Sequence, residues 1–250
     1  AASIASPIFY RKYPLETIDS NVIGLRKLLD LSLEFDPEGI LFFSTSEIYG
    51  NPNSENIPTK ETYFGNVNPF GPRASYDESK RLSETLCYIY NDKFELPINI
   101  VRPFNNYGPG LNLNDGRVIP DFFKNILENK DIEIYSDGTS TRTFCYISDA
   151  ITGYLLALLS EDKGEVYNIG NDVPEISISD LANMIIDISN SKSKVVYKTN
   201  EDIHYLTNNP QRRCPDISKA KNKLNFSPNI SLEEGLEYTY NYYSDRINEN

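Results

Sequence analysis

A chain of 250 residues with 39% hydrophobic composition is long enough to bury a sizeable core and too apolar to be disordered. Its 24 Lys and Arg against 36 Asp and Glu leave a formal net charge of −12, and with no basic stripe this balance argues against nucleic acid or an anionic membrane as partner. An anionic substrate therefore has to be met by a few locally placed arginines.

Taken in chain order, the first expected element is a helix of about 16 residues from Ser20, where Val22, Leu25, Leu28, Leu29 and Leu33 recur at helical spacing. A short apolar strand from Gly39 to Ser46 follows. A turn-rich loop with Pro52, Pro58, Pro69 and Pro72 then leads to a helix from about Tyr76 to Phe94 and to the strand Ile98 to Phe104. Helix then apolar strand, twice in succession, is the rhythm of a parallel sheet covered on both faces, with its ligands beyond the carboxyl ends of the strands. Ser44 to Glu47 and Arg102 to Asn106 fall at such ends.

The pattern changes after Pro109. The expected elements there are a helix from Val118 to Glu128, strands from Ile132 to Tyr135 and from Thr141 to Ile147, the apolar helix Ile151 to Leu159 and a strand from Glu165 to Ile169. Ser177 with Asp180 and Ser231 with Glu234 have capping-box spacing and should open helices at Leu181 to Ile188 and Leu232 to Tyr243. The fold class expected is α/β, a Rossmann-like parallel sheet with a smaller α+β domain. Its division is the remainder of a dinucleotide-binding domain over residues 1–108 and a mainly substrate-binding part over 109–250, with about 144–170 returning to the first domain. Nothing like GxGxxG occurs, and Ala1 to Pro7 reads as a strand end turning beside a ligand. The expectation is that the opening strand, Gly-rich turn and helix of the dinucleotide fold are missing from this sequence.

Cys87, Cys145 and Cys214 are odd in number, widely spaced and without a CxxC pair, which suits neither a disulfide framework nor a zinc site and points to a reducing cytoplasmic setting. The single histidine, His204, lies in the polar stretch HYLTNNPQRR and reads as a loop side chain rather than a metal ligand or triad member, so no metal is expected. No apolar run approaches the about 20 residues of a membrane span, and the N-terminus carries no signal-type segment. The 18 tyrosines and 12 phenylalanines read as core and surface filling.

Chemistry is carried by Tyr76 and Lys80, a YxxxK pair on one face of a helix. An ammonium beside a phenol favours the phenolate, so Tyr76 can exchange a proton with a substrate hydroxyl near neutral pH while Lys80 also reaches a ribose. Alone, the motif is weak and reads as a solvated helix face. Around it stand Ala5-Ser-Pro7, Asn21-Val-Ile-Gly24, Ser44-Thr-Ser-Glu-Ile-Tyr-Gly50, Gly65-Asn-Val-Asn-Pro-Phe-Gly-Pro-Arg73, Phe104-Asn-Asn-Tyr-Gly-Pro109, Asp115-Gly-Arg-Val118, Thr141-Arg-Thr-Phe-Cys-Tyr146 and Arg213-Cys-Pro-Asp216.

With these motifs in this order, the chain resembles the extended short-chain dehydrogenases/reductases acting on nucleotide sugars, and looks most like their UDP-glucuronate decarboxylase (UDP-xylose synthase) branch. The resemblance spans essentially the whole chain. It implies NAD as cofactor, a nucleotide-sugar substrate, and a homodimer built through a four-helix contact that includes the helix from Tyr76. Matched position by position, it implies Tyr76 as the redox acid/base, with Thr45 as the neighbouring hydroxyl and Lys80 as partner. These three, with Asn21, Phe104 and Asn106, would contact the cofactor. Ser46, Asn105, Arg117, Arg142 and Arg213 would hold the nucleotide sugar, with Tyr10 close to it. Glu47 and Arg213 match the decarboxylase's extra catalytic carboxylate and arginine, and guanidinium groups suit phosphate and carboxylate as bidentate forks.

The rivals are 4-epimerases and 4,6-dehydratases of the same fold. A similar dehydratase would carry Asp-Glu after the threonine, because loss of a 6-hydroxyl needs a general acid, whereas here the pair is Ser46-Glu47. An epimerase needs only the tyrosine, lysine and hydroxyl. A non-catalytic fragment lacking the Gly-rich loop is the alternative of another class.

Overall fold

The computed structural model describes residues 3–199, 207 and 209–248; His204 lies outside the described residues. Two short helices open the described chain, α1 (Pro7–Lys12) and α2 (Pro14–Ile18), each with a proline in its first turn, where the missing N–H costs nothing. Neither was anticipated, because six and five residues are too few for a periodicity to register. The helix expected from Ser20 starts as a π-helical turn over Asp19–Gly24 and becomes regular only in α3 (Leu25–Phe35).

Strand β1 (Ile40–Phe43), helix α4 (Ala74–Phe94) and strand β2 (Ile98–Pro103) follow as expected, and a later strand, β7 (Val166–Ile169), pairs on the other side of β2. The three strands are parallel, with Ile40 opposite Ile98 and Ile100 opposite Val166. Alternation along β2 sends Ile98 and Ile100 toward Leu29, Cys87 and Tyr90 on α3 and α4, and Val101 toward the opposite layer. That layer contains α6 (Ile147–Leu159) and α8 (Ser218–Leu224), which bring Ala157, Ala220 and Leu224 against Tyr167 and Ile169. Asn99 sits inside this apolar layer, and its side chain donates to Ala157 O and Asp162 O at 2.8 Å each and accepts from Glu165 N at 3.0 Å. With all its hydrogen bonds made, a buried amide is tolerated.

Between β2 and β7 lie β3 (Asn106–Tyr107), α5 (Val118–Leu127), β4 (Ile132–Ile134), β5 (Thr141–Arg142) and β6 (Cys145–Tyr146). The strand expected from Thr141 to Ile147 is thus two short pieces, and α6 begins at Ile147 rather than Ile151. Each piece serves a different partner: β6 runs along β3, and β5 is flanked by β8 (Ile176–Ser177) and β10 (Arg212–Arg213). Helices α5, α7 (Ile178–Ser189) and α9 (Leu232–Asn248) enclose a second apolar core of Phe122, Phe123, Leu181, Ile185 and Leu236, and β9 (Val195–Tyr197) pairs with β4. Ser231 and Glu234 close a reciprocal capping box, each accepting from the other's backbone N–H, while at α7 Ser177 Oγ accepts from Asp180 N and donates to the Asp180 carboxylate.

Candidate active site

The carboxyl ends of β1 and β2 open into a cavity of about 1090 Å³ that separates the sheet from the second core. Immediately after β1, Thr45 is extended and caps a 3₁₀ turn over Ser46–Tyr49, its Oγ1 accepting from Glu47 N at 3.2 Å. The turn is closed at Gly50, whose φ of 61° brings it so near the Asn66 carbonyl that a Cβ would lie 2.1 Å from that oxygen. This fixed exit from the strand points Thr45, Ser46 and Glu47 into the cavity.

Helix α4 brings Tyr76 and Lys80 to the same cavity, both buried. Lys80 Nζ donates to Phe43 O at 2.8 Å and stands 6.0 Å from the centre of the Tyr76 ring. One of its three N–H donors is thus given to the end of β1, and at this separation the ammonium is not among the groups that act on the phenol, so the expected lowering does not follow from the chain's own groups. Burial instead pushes Tyr76 up to about 12, with the Thr45 hydroxyl working against the rise. Burial likewise pushes Lys80 down to about 8. Tyr10, carried by α1, stacks parallel to Tyr76 with ring centroids 5.0 Å apart.

Opposite this pair lies a cluster of charges. Arg213 forks onto both oxygens of Glu47, with Nη2 at 2.7 Å from Oε2, and Arg73 Nη2 donates to the same Oε2. Arg73 also ion-pairs with Asp77 at 3.5 Å. Burial opposes the Glu47 charge, but Arg213 and Arg73 outweigh it and hold the carboxyl well below its usual range. Asp77 goes the other way, raised to about 7 by burial and by the neighbouring Glu47 charge. Arg73 and Asp77 were given no role by sequence. The available signal was an arginine at the N-cap position, just before the first helical residue Ala74, where a capping side chain is usual.

Asn105, Asn106, Arg117 and Arg142 complete the set that the structure brings together. Asn105 adopts a left-handed φ of 42° and donates from Nδ2 to Thr143 O at 2.8 Å, tying β2 to the strand pieces of the second core. Arg142 is buried and donates to the carbonyls of Thr141, Pro210 and Gln211. Arg117 is more open, paired with Asp115 at 2.6 Å.

Two expected cofactor contacts are not on the cavity wall. Asn21 is turned inward by the π-helical turn, accepting from Ser3 Oγ at 2.6 Å and donating to Ser79 Oγ at 2.8 Å, which braces α4 from behind. Phe104 is directed away by the alternation that sends Pro103 and Asn105 into the cavity, and packs on Ile48 and Tyr49.

The family model for the NAD dependent epimerase/dehydratase family matches residues 1–170. The chain belongs to this family. It is 40% identical to "UDP-glucuronic acid decarboxylase 1" of Arabidopsis thaliana over 97% of its own length and 54% of that protein's, and so spans about half of that curated relative. Among solved structures it matches the UDP-glucose 4-epimerase of Thermotoga maritima with a TM-score of 0.88 at 26% identity, covering 99% of this chain and 76% of that one. It also matches the UDP-glucuronic acid 4-epimerase of Bacillus cereus, solved with UDP-glucuronic acid and NAD, with a TM-score of 0.79 at 31% identity over 92% of this chain and 69% of that one. These matches carry the Rossmann-type α/β fold of the sequence expectation.

The residues lining the cavity leave hydrogen-bonding capacity for a polar ligand, with which a dinucleotide is compatible. Among the described residues, Tyr10 Oη, Ser44 Oγ and Asn106 Oδ1 on residues lining it find no hydrogen-bond partner, and buried polar atoms of this kind suit a ligand that supplies hydrogen bonds.

Proposed function

We propose that the protein decarboxylates UDP-glucuronate to UDP-xylose, with NAD ending in the state in which it began. The observation that carries this is the Arg213 fork on Glu47, set in the same cavity as Thr45, Tyr76 and Lys80. The relatives named UDP-glucuronic acid decarboxylase support it. NAD, when bound, supplies a reversible hydride acceptor, and Thr45, Tyr76, Lys80 and Asn106 are the residues that would hold it. Asn21 and Phe104 would support those residues from behind.

Tyr76 takes the proton of the sugar 4-hydroxyl as its phenolate, a form that burial disfavours and that the positive charge of bound NAD would favour, with Thr45 keeping the ring oxygen oriented. Once C4 is a ketone, it is β to the C6 carboxylate, and the C5–C6 bonding electrons flow into the carbonyl as CO2 leaves. The enolate formed is protonated at C5, and C4 is reduced again as Tyr76 returns its proton. Arg213 meets the carboxylate or the enolate charge. Tyr10 and Ser46 border the sugar, while Asn105, Arg117 and Arg142 hold the nucleotide portion.

Incubating the full-length protein with UDP-glucuronate and weighing the product tests this: loss of one CO2 is expected. A product of unchanged mass containing galacturonate would make the protein a 4-epimerase, the reading favoured by the likeness to the Bacillus cereus enzyme. Dehydration of a neutral nucleotide hexose with no reaction on uronates would make it a dehydratase.

The same proposal includes a homodimer. Leu28, Leu31 and Phe35 on α3 and Leu82 and Ile89 on α4 are exposed, and the two helices lie side by side. Paired with a second copy, they give a four-helix contact that covers these side chains. Light scattering at micromolar concentration should return twice the monomer mass. We also place the protein in the cytoplasm, in keeping with three buried, unpaired thiols, and assign substrate binding chiefly to residues 109–250. Cell fractionation checks the first assignment.

A further inference from the structure

Arg213 cannot grip Glu47 and a ligand carboxylate with the same fork. Both oxygens of Glu47 are taken by Arg213, and the Glu47 side chain is only 20% exposed. If an acidic ligand drew Arg213 away and nothing else compensated Glu47, a buried carboxylate would be left without a cation, which is strongly disfavoured. The site holds a second cation in place for this. Arg73 donates to Glu47 Oε2, pairs with Asp77, and lies over the Tyr10 ring at 5.9 Å.

The sequence position of Arg73 is locally unfavourable. A cation at a helix N-terminus opposes the helix dipole, and Arg73 makes no side-chain cap for α4. Asp77 one turn on offsets part of this, yet Arg73 gives its shorter contact to Glu47, outside the helix. Three residues further along the same helix is Tyr76, so one element holds both the partner of Glu47 and the proton-transferring phenol.

We propose that Arg73 is a positioning residue that keeps Glu47 ionised and in place, leaving Arg213 free to pass from Glu47 to the carboxylate of an acidic sugar ligand. This rests on the uronate reading given above. The charged and titratable groups facing Glu47 are Arg213 from β10, Arg142 from β5, Tyr10 from α1, and Arg73, Tyr76 and Asp77 from the start of α4. Without Arg73, Arg213 becomes the only cation among the described residues hydrogen-bonded to Glu47 and stays locked to it. Ligands that need Arg213 suffer, and ligands that do not need it are unaffected.

The test compares Arg73→Gln with wild type in the full-length protein, measuring affinities for UDP-glucuronate and for the neutral UDP-glucose, and the pH profile of kcat/KM. Losing a hydrogen bond to a charged group is worth about tenfold to a hundredfold, so UDP-glucuronate affinity should fall by that factor while UDP-glucose affinity stays within about twofold. The acidic limb of kcat/KM should move to higher pH, because Glu47 protonates more readily with one cation fewer. Arg73→Lys, which keeps the charge, should restore much of the limb and serves as the test if the glutamine variant does not fold. Equal losses for both nucleotide sugars would reduce Arg73 to a structural role and overturn the inference. So would an unchanged uronate affinity with an unchanged limb. Wild type that shows no activity on uronates sinks the functional reading; wild type active on uronates with an indifferent Arg73→Gln sinks this inference alone.

Discussion

The Tyr76 end and the Glu47 end of the cavity are both shielded from water, yet they treat charge in opposite ways. At the first, burial pushes Tyr76 up to about 12 and Lys80 down to about 8, so each moves toward its neutral form. At the second, two guanidinium groups keep Glu47 ionised despite the same desolvation. The difference lies in the partners. Lys80 is bonded to a backbone carbonyl, which cannot compensate a charge as a carboxylate can, whereas Glu47 is bonded to two cations. Burial alone selects neutral groups, and burial with matched partners preserves charged ones. A site that must first move a proton and then stabilise an anion uses both.

The contrast can be broken most severely at its neutral end. Tyr76→Phe removes the only proton-transferring group proposed there, so turnover should fall by about a hundredfold to ten-thousandfold. Calorimetric binding of UDP-glucuronate should change little, and a variant keeping a tenth of wild-type turnover would assign the proton transfer elsewhere. At the charged end, Arg213→Ala should slow CO2 release by about a hundredfold to a thousandfold. Because the redox residues are untouched, absorbance of the reduced cofactor should still appear when UDP-glucuronate is added; its absence would tie Arg213 to the first step.

A third test asks whether paired burial behaves alike outside the cavity. Arg102 donates to both oxygens of Glu84, at 2.9 and 2.6 Å, and to Tyr49 Oη at 2.7 Å, joining β2 to α4, the helix that also carries Lys80. Arg102→Met leaves Glu84 buried and unpaired, and urea unfolding should show a loss of about 3–5 kcal/mol. A loss under about 1 kcal/mol would mean that water reaches this pair after all.

The smallest effect is a pH dependence. The folded chain holds Lys80 near 8 against the ordinary 10.5, so between these values the unfolded chain binds more protons and stability rises with pH. Below about pH 8 the ammonium must be kept charged in the interior at full cost. Relative to Lys80→Met, wild type should gain on the order of 2–3 kcal/mol as pH rises from 8 to 10.5. A flat difference would show that the lysine is solvated or paired in a way that the Phe43 carbonyl does not explain.

Much of this molecule is legible in sequence wherever the cause is local. The spacing of Tyr76 and Lys80 sets both on one face of α4, the apolar runs after residues 39 and 98 become parallel strands, and N-terminal serine caps open α7 and α9 where their side chains require. What sequence could not supply is the partnership across distance. Glu47 meets Arg73 and Arg213 at sequence separations of 26 and 166 residues, and no periodicity records such a pairing. The π-helical turn that turns Asn21 onto Ser79 depends on packing between two helices, and the break between β5 and β6 depends on which strands lie alongside. Backbone propensity and periodicity act within a few residues of one another, and those the chain determined by itself; charge compensation in a buried cavity is decided only when separate segments are brought to the same place.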